Sequence, residues 1–174
     1  MKKIFMMLAL AAMTIGASAQ GEYSITTKDT YLRGGKTLKN VKNIEITFDA
    51  NISDWKLGGS KNDETTVGGV DLTGKYMTSA GTNGAPIIIT PKKDGKLTIF
   101  LGGAVATTKK VFMKEGNNKI NGTVLSTGAE VACGQNPSAD INAWDGLVYE
   151  LEADKTYTFY ISGAKWRFAG YKFE

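Results

Sequence analysis

A chain of 174 residues with 21 Lys and Arg against 17 Asp and Glu carries a net charge of +4 and no histidine. That balance is far from the dense basic footprint of a nucleic-acid binder, and nothing in it recommends DNA or RNA. The missing imidazole excludes histidine-activated nucleophiles, histidine-ligated zinc or non-haem iron, and histidine-bound copper.

The chain opens with Lys2 and Lys3, an apolar run from Ile4 to about Ile15, and then Ala17-Ser18-Ala19. This is the three-part pattern of a secretory signal peptide. The run is too short to span a bilayer with its flanks, and no second run of that kind follows, so no membrane span is expected. Residues 1–19 are read as a leader cleaved after Ala19, and residues 20–174 as one exported domain, periplasmic or extracellular. A lipid-anchored product would need a cysteine at the cleavage point, whereas the one cysteine is Cys133. A lone cysteine closes no internal disulfide, and Cys133 reads as a small buried filler rather than a nucleophile. Without the leader's two lysines, nineteen basic residues face seventeen acidic ones, a net charge of +2.

Beyond the leader the spacing is that of short strands punctuated by glycine-rich turns, with 21 glycines against three prolines. In "VKNIEITFDA", Val41, Ile44, Ile46 and Phe48 recur at mainly two-residue spacing. "FDANISDWKLGGS" sets Trp55 between Asp54 and Lys56 just after that strand, and "SKNDETT" reads as a solvated loop. Tyr76 follows in "GKYMTSAGTNG". "PIIITPKKDGKLTIFLGG" is two apolar runs around a Pro-Lys-Lys-Asp-Gly turn, a hairpin signal. "KVFMKEG", "KINGTVLS" and "AEVAC" read as further strands separated by "GNN" and "STG" turns. "CGQNPSADINAWDG" is a long polar loop in which Asn142 and Asp145 flank Trp144.

The last third alternates most clearly. Leu147, Tyr149 and Leu151 share a face opposite Val148, Glu150 and Glu152, and after Ala153-Asp154-Lys155 the next strand buries Tyr157, Phe159 and Ile161. That spacing predicts an antiparallel pair with one wet face. In "YISGAKWRFAGYKFE", Trp166 and Phe168 share a face opposite Lys165 and Arg167, while Tyr171 and Phe173 fall in the other phase. A bulge near Ala169-Gly170 would bring them back. Period-two burial therefore accounts for these aromatics as core, and leaves Lys165, Arg167 and Lys172 as solvated or edge-strand residues.

The run "GLVYELEADKTYTFYISGAKWRFAGYKF", preceded by "KDGKLTIFLGG" and "KVFMKEGNN", resembles the jelly-roll β-sandwich modules secreted by Bacteroidetes-type bacteria. The resemblance covers roughly residues 45 to 174. Those modules are similar to carbohydrate-binding modules and occur beside pectate lyases, esterases and glycosidases. What it implies is an all-β fold: two antiparallel sheets in a jelly-roll sandwich of the galactose-binding or carbohydrate-binding-module type, with about eight to ten strands. A barrel closed by the same strands is the alternative.

A sugar site needs an exposed ring face to stack on the apolar side of a pyranose, with groups that hydrogen-bond its hydroxyls. Trp144 with Asn142 and Asp145 fits best, then Trp55, then Tyr76. For each ring the competing reading is a cap on the end of the sandwich. No dense Asp-x-Asp-x-Asp loop is present, so no metal is assigned, and no cofactor or catalytic residue either. The expected function is a secreted non-catalytic module that binds a polysaccharide or oligosaccharide. Two other readings stand beside it: a structural sandwich with a protein partner in the cell envelope, and a histidine-free polysaccharide-active enzyme built on carboxylates or lysine.

Overall fold

The computed structural model describes residues 21–24, 31–32, 43–49, 55–79, 86–102, 109–137, 144–162 and 166–174. The expected leader, Val41, Asn142 and Lys165 lie outside the described residues. Fourteen strands run in chain order through these segments: β1 Gly21–Ser24, β2 Tyr31–Leu32, β3 Ile44–Phe48, β4 Trp55–Val67, β5 Val70–Ser79, β6 Ile87–Pro91 and β7 Gly95–Gly102. After them come β8 Lys110–Glu115, β9 Asn118–Lys119, β10 Gly122–Val124, β11 Glu130–Val131, β12 Asp145–Leu151, β13 Tyr157–Ser162 and β14 Arg167–Phe173. The count exceeds the expected eight to ten because β1, β2, β9, β10 and β11 are pieces of two to four residues: β2, β9 and β11 are edge strands, β10 lies beside β11, and β1 adds to β14.

The fold is an all-β sandwich of two antiparallel sheets. One has nine strands in the order β11-β10-β12-β7-β14-β5-β4-β2, with β1 also on β14, and the other five in the order β3-β6-β13-β8-β9. From β5 to β8, and again from β12 to β14, consecutive strands alternate between the sheets, which winds the chain around one core in the jelly-roll manner. Each sheet keeps its own edges, β11 and β2 in one and β3 and β9 in the other, so the closed barrel is not formed.

Two of the expected pairings are corrected by this winding. The runs on either side of Pro91-Lys92-Lys93-Asp94-Gly95 do not form a hairpin, because β6 lies in the five-stranded sheet and β7 in the nine-stranded one. Nor do Leu147–Leu151 and Tyr157–Ile161 pair with each other; they too face one another across the core. Period two fixes which face of a strand is apolar and leaves its partner open. The backbone of these corners is satisfied from elsewhere: Lys92 N donates to Asn43 O at 2.7 Å and Asp154 N to Pro91 O at 2.8 Å. Ala153 N adds a bond to Asp94 Oδ1 at 2.7 Å, so the two corners brace each other.

The inner faces interlock aromatic rings edge to face. Phe159 meets Trp166 at 5.3 Å, and Phe48 meets Phe168 at 5.9 Å. Full burial of each such side chain stabilises the fold by roughly 1.5–3 kcal/mol relative to exposure. The expected bulge is present: the register of β14 on β7 shifts between Phe168 and Gly170, and Gly170 adopts φ 149°, a region closed to side-chain-bearing residues. The shift turns Ala169 outward while Phe168, Tyr171 and Phe173 all stay in the core.

Candidate functional site

The outer face of the nine-stranded sheet is the unusual one. Along β7, Leu97, Ile99 and Leu101 point into the sandwich, so Phe100 points out of it, yet Phe100 is fully buried. It belongs to a second apolar cluster with Val70, Leu72 and Ala169, against which Val67, Leu125 and Trp144 pack. The β4–β5 hairpin builds this cluster. Its turn is Gly68-Gly69 with φ 58° and 80°, the left-handed pair that a tight hairpin connection requires. Its register breaks between Gly59 and Glu64. Gly59 and Gly74 both have positive φ there, and a Cβ on Gly59 would strike the Gly74 carbonyl oxygen. Beyond this glycine break the distal half lies across the sheet, where Gly68 sits against Leu125 and Phe100. "SKNDETT", expected as a loop, is therefore part of β4.

Between the hairpin tip and the end of the loop before β12 lies a cleft of about 450 Å³, lined by Thr65, Thr66, Val67, Gly68, Leu125, Ser126, Trp144 and Asp145. Trp144 is half-buried: its indole rests on the second cluster and borders the cleft. Tyr76 meets it at 5.8 Å between ring centroids with a 45° tilt. The Tyr76 ring is seated over Gly58, where a Cβ would collide with it. The Arg167 guanidinium covers the Tyr76 ring at 4.7 Å, a cation–π contact. Lys109 is buried within reach of the Arg167 charge, and burial first, then that charge, holds its ammonium below the ordinary lysine range.

Asp145 is buried and its carboxylate is engaged. Oδ1 accepts from Gly146 N at 2.7 Å and Ser126 N at 3.2 Å, and Oδ2 accepts from the Ser126 hydroxyl. This ties the turn after β10 to the start of β12 and holds Leu125 and Ser126 at the mouth of the cleft.

Of the five residues expected from sequence, the structure brings Trp144, Asp145 and Tyr76 together. Trp55 follows β3 and opens β4, opposite Ser79 on β5 and Leu32 on β2; its side chain is outside the described residues, as is Asn142. Sequence reasoning missed Thr65, Thr66, Leu125 and Ser126 as lining residues, and Arg167 as the cover on Tyr76. The signal that could have found the first two is "VGGV", a Gly-Gly dipeptide between valines. Cys133 is half-buried rather than buried, and its Sγ lies 3.3 Å from the Met113 carbonyl oxygen as a hydrogen-bond donor. Among the described residues no group of three or more Cys, Asp or Glu converges as a metal site would require. No helix among them is long and apolar enough to cross a membrane.

No family model matches this chain. No curated protein matches it either. Among solved structures it is similar to the CBM35, a carbohydrate-binding module, from Cellvibrio japonicus Abf62, with 9% identity over 75% of this chain and 92% of that one and a TM-score of 0.33. At that identity no residue of the module can be carried onto this chain.

Proposed function

We propose that the chain is a non-catalytic carbohydrate-binding module that takes a polysaccharide or oligosaccharide in the cleft beside Trp144. The observation that carries this reading is the half-buried indole bordering a cleft of about 450 Å³ whose rim supplies the hydroxyls of Thr65, Thr66 and Ser126. A pyranose stacks on such a ring; the Ser126 and Thr66 hydroxyls donate to Asp145 and Asp71, which leaves their oxygens to accept from the sugar's hydroxyls. Trp144 is the stacking residue, Tyr76 sets its tilt, and Asp145 positions Ser126. The non-catalytic part rests on the carboxylates: glycoside cleavage uses two flanking the bond, and among the described residues the lining of this cleft holds one, Asp145, already bonded to Ser126 and Gly146.

One ring and a few hydrogen bonds give weak binding, in the range of about 10 μM to millimolar, because desolvation and ordering offset much of the contact energy. A glycan array followed by titration calorimetry tests the reading. The expected result is at least one neutral glycan retained by the wild-type chain and lost by Trp144→Ala. Export belongs to the same proposal: the protein acts in the periplasm or outside the cell after cleavage behind Ala19. The intact mass of material recovered outside the cytoplasm should lack residues 1–19; a mass that retains them would reject the leader.

A further inference from the structure

The outer face of the five-stranded sheet carries a second constellation, independent of the Trp144 cleft. Register places Tyr160 opposite Phe112, Thr158 opposite Lys114 and Ser162 opposite Lys110 across β13 and β8. Their chain neighbours Val111, Met113, Phe159 and Ile161 are buried in the core, so these residues face outward. The Phe112 and Tyr160 rings stand parallel, 7° apart in plane with centroids at 4.6 Å. Lys114 Nζ lies 5.4 Å from one ring centre and 6.0 Å from the other. Gly134 backs the Phe112 ring, where a Cβ would come within 3.3 Å.

The charges on this face are set against stability. Lys119 on β9 stands directly opposite Lys114, and like charges in that position repel. Neither forms an ion pair among the described residues, whereas the adjacent Glu115 is paired with Lys155. Lys110 lies four residues from Lys114 along the same strand, about 13 Å away at strand rise. Two lysines facing each other across β8 and β9, a third offset from them along β8, and an aromatic pair beside the Lys114 ammonium make a basic patch with ring edges and hydroxyls between the charges.

We propose that this face is a second binding surface, for a linear anionic polysaccharide lying across the strands. Charge complementarity requires an anionic occupant, and the form of the surface selects among anions. An acidic peptide would gain its main-chain bonds at a strand edge, and a sheet face offers none. The rings stand half-buried and on edge, so they present no wedge for a bilayer. A sugar chain uses what is there: ammonium groups for its carboxylates or sulfates, Thr158 and Ser162 for its hydroxyls, ring edges for its C–H groups.

The test is titration of the purified chain with alginate, dextran sulfate, uncharged dextran and a thymidine oligonucleotide, each over a series of salt concentrations. The two anionic glycans should bind, with affinity falling as salt rises, and dextran should not. If alginate alone binds the group read is carboxylate, and if dextran sulfate alone, sulfate; either supports the surface. Lys114→Gln with Lys119→Gln should weaken binding on the order of tenfold and flatten the salt dependence, whereas the matched pair Lys92→Gln with Lys93→Gln in the corner before β7 should change it less than about twofold. Phe112→Leu with Tyr160→Leu keeps apolar bulk for folding and should weaken binding several-fold at unchanged salt slope. Equal losses from the two lysine pairs, no loss from the ring substitutions, or tighter binding of the oligonucleotide than of either glycan would each overturn the proposal. A thermal melt of each variant confirms that the fold is intact.

Discussion

Residues 147–173 run through both sheets and residues 55–79 form a hairpin of the nine-stranded one, and the two regions bury their apolar side chains in different places. The first puts Leu147, Tyr149, Leu151, Phe159, Trp166 and Phe168 into the single core between the sheets. The second sends Met77 to that core and Val70 and Leu72 to the outer face, where the hairpin covers Phe100 and Ala169. One region holds the fold together, and the other shapes a cleft on it. The contrast teaches that the same period-two chemistry can build either, depending on whether the strand stays in its sheet or folds across it at a glycine break.

The contrast predicts a ranking of stability losses. Phe168→Ala removes a fully buried ring at the crossing of both sheets and should cost about 3–5 kcal/mol in one cooperative transition, read by denaturant unfolding. Leu72→Ala should cost less, roughly 2–3 kcal/mol, because among the described residues the outer cluster holds four buried residues against the core's twenty-three. Its sharper signature is local: hydrogen exchange should quicken across the β4–β5 hairpin and leave β12 to β14 protected. Uniform loss of protection in the Leu72 variant would mean that the two clusters are one.

The smallest effect belongs to the solvent-facing corner. Lys155 donates to Glu152 and Glu115, and these hydrogen bonds raise its ammonium above the ordinary lysine range. A raised folded value means the contribution is present below the ordinary lysine value and disappears as pH climbs through the raised one. Wild type and Lys155→Ala should therefore differ slightly in melting temperature at neutral pH and converge in strongly alkaline buffer. A gap that widens with alkalinity would reverse the assigned sign.

How far each region was legible follows from the same contrast. In the last third, large apolar residues alternate with charged ones, so the faces of Leu147 to Phe173 and the bulge at Gly170 could be read directly. The partner of each strand could not, because facing across a core and pairing within a sheet demand the same pattern. In the hairpin the apolar residues are few and separated by Thr, Gly and charged positions, which reads as solvated loop until the outer cluster is seen. Trp144 was legible as an orphan ring in a polar stretch. Its neighbours in space were not, since Tyr76, Thr65 and Ser126 come from other strands and turns.

The central claim is that Trp144 serves a ligand more than it serves the fold. Its most direct test is a paired measurement on Trp144→Ala: calorimetric titration with the glycan that wild type retains, and a thermal melt of both proteins. The predicted result is loss of measurable glycan binding with a melting temperature lowered by only a few degrees, because a half-buried ring on the outer cluster contributes little to the core. A variant that unfolds, or one that folds and still binds the glycan with wild-type affinity, would contradict it.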